Sequence, residues 1–279
     1  MKEFKTLTAL RKQRAQWAGG PVALVPTMGN LHEGHLSLID LAKTVADRTV
    51  ASIFVNPTQF GPGEDFAAYP RTLVDDLAQL KARGCDGVFL PDHTELYPYG
   101  LEAYTTVDVP LVGEGLCDAS RPGHFRGVTS VVSRLFNAVQ PDHAVFGQKD
   151  YQQLQTLRRM CAEMAYDIQI HAAPIAREPS GLAMSSRNGY LTGEQKNRAS
   201  ELYQTLQSLA TRLRDDPADW VGLRSAAVKR LEGAGFQPEY LELRDANTLS
   251  IPDGFGVNDR VILVAATLET TRLIDNIQL

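Results

Sequence analysis

Apolar and polar positions along the first 175 or so residues follow two alternating periods. Short, nearly unbroken apolar runs, "VALVPT" (22–27), "TVASIFV" (49–55), "DGVFLP" (86–91), "HAVFG" (143–147) and "DIQIHA" (167–172), have the length and content of strands buried on both faces. Between them apolar residues recur at helical spacing. Leu36, Leu38, Ile39 and Leu41 begin one such face, and Leu73, Leu77 and Leu80 mark another. Val128, Val131, Val132, Leu135, Phe136 and Val139 mark a third, and a fourth runs from near Asp150 through "YQQLQTLRRMCAEM". The N-terminal "MKEFKTLTALRKQRAQW" also mixes charge and apolar residues at helical spacing. Strands alternating with helices predict crossover units around a parallel sheet. Ligands of such sheets bind beyond the carboxyl ends of the strands. The polar, glycine-rich stretches 28–35, 56–65 and 147–150 fall there, and 113–127 follows the strand-like "YTTVDV".

The pattern changes at "APIAREPSG" (173–181), where two prolines break it. Beyond lie two helical stretches, about 193–214 and 218–233, then strand-like "PEYLELRD", "RVILVAATL" and "TRLIDNIQL". The expected architecture is a Rossmann-like α/β domain over 1–175 and a smaller α+β domain over 176–279.

Composition narrows the classes. A chain of 279 residues with 43% hydrophobic and 22% charged content is ordinary for a globular protein. Its net charge of -5 and pI near 5.7 speak against nucleic acid, whose binders carry a basic footprint. No apolar stretch suits a membrane span or a signal peptide. Cys85, Cys117 and Cys161 are odd in number and widely spaced, as expected of a reducing compartment, and the expected place is the cytoplasm.

The candidate chemistry sits in the polar stretches. "PTMGNLHEGHLSLI" places His32 and His35 at the start of a helix, with Gly29 and Gly34 allowing close approach. Helix starts offer N–H groups to phosphate, and two imidazoles on neighbouring positions add donors where negative charge builds. Two surface histidines in a loop would read the same; a zinc pair lacks a third ligand nearby. "MSSRNGYL" (184–191) combines hydroxyls with a guanidinium, suited to the outer phosphates of a nucleotide, although taken alone it reads first as an ordinary N-cap cluster before a helix. In "FGQKDY", Lys149 offers a point charge for phosphate at a strand end, or is simply a solvated lysine at a helix start. Asn56, Gln59 and Gln153 are neutral amides, able to orient a hydroxylated acid without quenching its carboxylate, although a turn rich in Asn, Pro and Gly explains the letters of 54–71 as well. Neither a P-loop nor a G-x-G-x-x-G occurs.

The order of these motifs is more specific than any one of them. H-x-G-H after the first strand and a late M-S-S-R loop resemble the nucleotidyl-transferase superfamily shared with class I aminoacyl-tRNA synthetases. "PTMGNLHEGH", "FVNPTQF", "RPGHFRGV", "GQKDYQQL" and "LAMSSRN", with "TRLIDNI" near the end, resemble the pantothenate synthetase (pantoate–β-alanine ligase) family over the whole chain. One departure is Gln148, where glutamate is common in that family.

The resemblance implies an AMP-forming ligase of coenzyme A biosynthesis, joining pantoate to β-alanine through a pantoyl adenylate, with the first domain binding nucleotide and pantoate and the second acting as a lid. It implies that Met28, Gly29, Asn30, Leu31, His32, Glu33, Gly34 and His35 cradle ATP, together with Gly147, Gln148, Lys149, Asp150, Ala176, Met184, Ser185, Ser186 and Arg187. His35 and His32, with Lys149, Ser185 and Arg187, would carry the catalysis. Gln59 and Gln153 would hold pantoate, Gln59 would also border β-alanine, and Asn56, Arg121 and His124 would be neighbours. Mg²⁺ is expected on the phosphates, with Asp75, Asp76 and Gln79 as candidates to touch it, and a homodimer is expected. The competing expectation is a nucleotidyl transferase that keeps the nucleotide in its product, which needs neither paired glutamines nor an amine acceptor.

Overall fold

A computed structural model describes all of the chain except residues 18, 111, 217–218 and 254–258. In chain order its first part runs β1 (Lys2–Phe4), α1 (Leu7–Gln16), β2 (Val22–Thr27), α2 (Glu33–Val45), β3 (Arg48–Ile53), α3 (Leu73–Ala82), β4 (Gly87–Phe89), α4 (His93–Leu96), α5 (Cys117–Ser120), α6 (His124–Val139), β5 (His143–Gly147), α7 (Tyr151–Glu163) and β6 (Gln169–Ala173). The remainder is α8 (Gly193–Ala199), α9 (Glu201–Asp215), α10 (Trp220–Gly233), β7 (Phe236–Asp245), β8 (Arg260–Leu268) and β9 (Thr271–Gln278).

The chain forms two compact units. The first comprises Met1–Pro110, Arg121–Gln148 and Thr156–Pro174; the second comprises Leu111–Ser120, Lys149–Gln155 and Ile175–Leu279. A single cut near residue 175 therefore misses two short segments that pack with the second unit, one of them carrying Lys149 and Gln153.

In the first unit six parallel strands lie in the order β1-β4-β3-β2-β5-β6. Side chains alternate across this sheet. Ala23, Val25, Ala51, Val88 and Val145 pack with Leu38, Ile39 and Ala42 of α2. The intervening Leu24, Val50, Phe89, Ala144 and Phe146 are also buried, on the opposite face, where α6 meets β2 and α1 meets α6. Burial on both faces is why these strands read as continuous apolar runs. The strand order reverses between β2 and β5, and beyond that switch point stand the His32–His35 turn and Gly147.

The second unit is an antiparallel sheet, β7-β8-β9, covered by α9 and α10. Leu206, Leu209, Leu213, Leu231, Ile262 and Val264 form its core.

Three local expectations differ from the structure. Lys2–Phe4 is not helical but pairs with β4 as an edge strand, burying Phe4. "YTTVDV" contains no strand; Val107 instead bonds through its N–H and C=O to Ser130 and Thr129 of α6. The expected helix 193–214 is broken at Ser200, whose hydroxyl caps back onto the Asn197 carbonyl. The expected start of the next helix, residue 218, lies outside the described residues.

Candidate active site

Strand β2 delivers the chain to the histidines through a tightly held turn. Gly29 and Asn30 both take left-handed backbone conformations, φ 81° and 52°. Thr27 Oγ1 donates to the Ser52 carbonyl at 2.8 Å and accepts from the Gly29 N–H at 3.3 Å. His32 is then the N-cap of α2, and the two histidines form a reciprocal capping box. The Gly34 N–H donates to His32 Nδ1 at 3.1 Å, and the His32 N–H donates to His35 Nδ1 at 3.4 Å. The ring centroids stand 4.1 Å apart.

This geometry changes which groups can serve a phosphate. The Gly34 N–H is taken by His32 Nδ1 and the His35 N–H by the His32 carbonyl at 2.8 Å. An accepting Nδ1 places the ring proton on Nε2, so both imidazoles are set as Nε2–H donors. The cap thus consumes backbone donors and fixes side-chain donors in their place. The Glu33 carboxylate is paired with Arg83.

Beyond β3 the chain turns through a 3₁₀ turn, Pro57–Gln59, capped by Asn56. Asn56 is 1% exposed, and its amide is fully engaged. Its Nδ2 donates to Gln59 Oε1 at 3.1 Å and to the Gly127 carbonyl at 3.2 Å. Its Oδ1 accepts from the Tyr97 hydroxyl at 2.9 Å and the Thr58 hydroxyl at 3.0 Å. With Oε1 held, the Gln59 amide has one orientation, and Nε2 donates to Met28 Sδ at 3.2 Å. Asn56 therefore orients Gln59 instead of offering its own amide to a ligand.

Gln59 borders a pocket of about 140 Å³ that also includes Arg121 and His124. Arg121 binds Glu64 through two 2.7 Å hydrogen bonds, and this guanidinium holds the Glu64 carboxyl below its ordinary range against the opposing effect of burial. His124 lies 2.9 Å from Arg121 Nη1 and 2.8 Å from the Gln59 carbonyl. Arginine can only donate and a carbonyl only accept, so the His124 proton sits on Nδ1.

The first unit also carries Gly147 and Gln148; the second carries Lys149, Asp150, Gln153, Ala176 and Met184 to Arg187. The proline-rich segment is a short hairpin, closed by Gly181 at φ 91°, by the Arg177–Ala183 bridge and by the Met184 N–H on the Ala176 carbonyl at 2.9 Å. It brings Ala176 beside Met184 and the turn that follows. Ser185 caps that turn by accepting the Arg187 N–H at 3.2 Å, and buried Asn188 ties it to Glu178 and Ala183. The Lys149 carbonyl accepts from Asn276 Nδ2 at 3.0 Å. Gln152 is buried and spent on the Cys117 N–H and the Val112 and Gly113 carbonyls, whereas neighbouring Gln153 is half-exposed.

The periodicity of the last segment predicts β9 but not the role of its adjacent buried residues, Asp275 and Asn276, which tie these segments together. Asp275, 3% exposed, binds Arg177 at 2.7 and 2.9 Å, and the Arg177 guanidinium lies 3.5 Å over the Tyr203 ring. Burial pushes the Asp275 carboxyl above its ordinary range, with Arg177 pulling the other way. Removing one partner leaves a buried charge unmatched. Asp275→Ala is therefore expected to lower unfolding free energy by about 3 kcal/mol, read from urea denaturation.

Residues 2–278 match the sequence profile of the family described as Pantoate-beta-alanine ligase. The chain belongs to the pantoate-β-alanine ligase family. It is 52% identical to a pantothenate synthetase of Ectopseudomonas mendocina, with 99% of this chain and 98% of that one covered. It is 49% identical to one of Azotobacter vinelandii, covering 98% and 97%. A crystal structure of pantothenate synthetase from Thermus thermophilus superposes with a TM-score of 0.91 at 40% identity, covering 100% and 99% of the two chains. A pantoate-β-alanine ligase from Francisella tularensis, solved with β,γ-ATP and β-alanine, gives 0.83 at 30% identity, covering 100% and 97%.

As a pantoate-β-alanine ligase the chain is an enzyme. Among its described residues no helix is long and apolar enough to cross a membrane. Nor do they hold any group of three or more His, Cys, Asp or Glu side chains arranged for a metal ion. Of the three residues expected near Mg²⁺, Asp75 is exposed, Gln79 half-buried and Asp76 1% exposed. Asp76 accepts the Asn30 N–H at 3.0 Å, the Leu31 N–H at 2.8 Å and the Thr72 hydroxyl at 3.1 Å.

Proposed function

We propose that this ligase condenses pantoate with β-alanine at the expense of ATP through a pantoyl adenylate, releasing AMP and pyrophosphate. The observation that carries the reading is the His32–His35 capping box, which sets two ring donors beyond the carboxyl end of β2. In the first step the pantoate carboxylate attacks the α-phosphorus and pyrophosphate leaves. Negative charge grows on the phosphate oxygens, and donors fixed beforehand stabilise it without reorganising. We assign that task to Nε2–H of His32 and His35, and the triphosphate to Lys149, Ser185, Ser186 and Arg187. Ala176 and Met184, paired across the hairpin, are assigned to the same nucleotide, with Gly147, whose missing side chain leaves open space beside it.

Gln59 and Gln153 are assigned to pantoate. The locked Gln59 amide presents its NH₂ end, which suits the oxygens of a hydroxy acid and leaves the attacking carboxylate ionised. In the second step the β-alanine amine attacks the activated carbonyl and AMP departs. Burial pushes the thiols of Cys85 and Cys161 up to about 11, which makes them poor nucleophiles, and neither is assigned a covalent role. Mg²⁺ would accompany ATP as part of the substrate and would neutralise charge on the leaving pyrophosphate. A homodimer and a cytoplasmic location are proposed from the family likeness; the three cysteines, none in a disulfide, suit a reducing compartment.

The test is product analysis. Purified protein with ATP, pantoate and β-alanine is expected to yield AMP in step with pantothenate, and to exchange labelled pyrophosphate into ATP only when pantoate is present. ADP as product, or exchange independent of pantoate, overturns the reading.

A further inference from the structure

We infer that Asp76 is a positioning residue, whose buried carboxylate shapes the turn that delivers His32 and His35, and that it is not a ligand of the cation accompanying ATP. The inference rests on the ligase reading above for its kinetic arm alone.

Consecutive left-handed residues, Gly29 and Asn30, turn the N–H groups of Asn30 and Leu31 toward one concave side. Such concavities bind anions. Here the anion is internal. Asp76 reaches from the first turn of α3, and its Oδ2 takes the Asn30 N–H while Oδ1 takes the Leu31 N–H and the Thr72 hydroxyl. An ionised carboxylate offers about four acceptor sites, three of which these donors fill at a position with 1% exposure. A magnesium ion needs about 2.0–2.1 Å approach in near-octahedral geometry, with several waters. It would have to displace two backbone N–H groups that already point at the same oxygens. The fit is also tight on the other side: a Cβ at Gly29 would stand 3.0 Å from Asp76 Oδ2 and 3.1 Å from Ile53 Cγ2.

The consequence runs forward along the chain. Leu31, buried at 8% exposure, is followed at once by His32, so the carboxylate that fixes the N–H groups of 30 and 31 fixes where the N-cap begins. Asp76 touches no reacting atom; it acts through the imidazoles. Asp76→Asn keeps the shape but replaces one acceptor by an NH₂ group, which cannot accept an N–H.

Three measurements decide it. Hydrogen exchange is expected to show the Asn30 and Leu31 amides protected in the wild type, with at least one losing protection in Asp76→Asn, whatever the catalytic reading. Pantoate-dependent exchange is expected to fall by about 10- to 100-fold in kcat, the scale of a misplaced catalytic group, with the pantoate KM and the Mg²⁺ midpoint unchanged. In a His32→Ala/His35→Ala background Asp76→Asn is expected to cost nothing further. Should Asp76→Asn fail to fold, Thr72→Val, which removes only the side-chain bond, is expected to give a smaller kcat loss at unchanged Mg²⁺ dependence. Retained amide protection, a Mg²⁺ midpoint that rises with the loss in rate, or a full additional loss in the double-histidine background would overturn the assignment. Failure of the ligase reading would appear separately, as wild-type protein without pantoate-dependent exchange.

Discussion

His35→Ala is expected to lower pantoate-dependent exchange by about 10²–10³, the usual cost of deleting one preset donor from a site where charge develops. Stability should change little. His35 is half-exposed, and its Nδ1 accepts the His32 N–H at 3.4 Å as its part of the cap. Losing such a cap bond typically costs about 1 kcal/mol. The two effects separate because the roles use different nitrogens: Nδ1 accepts the cap bond, and Nε2–H is the donor proposed for the chemistry. Exchange kinetics and thermal melting followed by circular dichroism should be measured on the same preparation. A variant with near-normal exchange, or one whose helix signal melts far below the wild type, would remove His35 from the assigned role.

Gly127→Ala should be nearly as damaging, although it adds only one methyl, at a residue that is not itself an expected substrate contact. A Cβ there would stand 2.3 Å from the Thr58 carbonyl oxygen, 2.6 Å from its carbon and 2.7 Å from Gln59 Cα. All three are backbone atoms, so no rotamer change relieves the clash. Either α6 or the Pro57–Gln59 turn must move, and the same contact carries the Asn56 bond to the Gly127 carbonyl that orients Gln59. Overpacking of this kind costs about 1–3 kcal/mol. A displacement near 1 Å at a positioning residue lowers catalysis by about 10²-fold. The expected result is a folded enzyme with kcat/KM for pantoate down by that factor. Unchanged pantoate kinetics would mean that Gln59 does not depend on this packing.

The sheet was legible because its strands are buried on both faces, which writes each one as a continuous apolar run. The His32–His35 turn was legible as a helix start, yet its chemistry was not: sequence spacing says two imidazoles share a face, and says nothing about which nitrogens the cap consumes. In the sequence Asp76 was visible only as one of three candidates to touch Mg²⁺, beside Asp75 and Gln79. Its partners lie 45 and 46 positions earlier, a separation that no local pattern encodes. Asp275 and Asn276 escaped for the same reason, being buried polar residues whose partners, Arg177 and Lys149, are distant in sequence. The edge strand Lys2–Phe4 and the break at Ser200 were lost to short length and to a hydroxyl that helix periodicity ignores.

The adenylate is the centre of this account, and isotope transfer tests it most directly. Pantoate labelled with ¹⁸O in its carboxylate, carried through a single turnover with ATP and β-alanine, should leave one labelled oxygen in AMP, because the attacking oxygen stays on phosphorus when the amine expels the nucleotide. Label found in inorganic phosphate together with ADP, or AMP without label, would contradict the adenylate route and with it the roles given to both histidines.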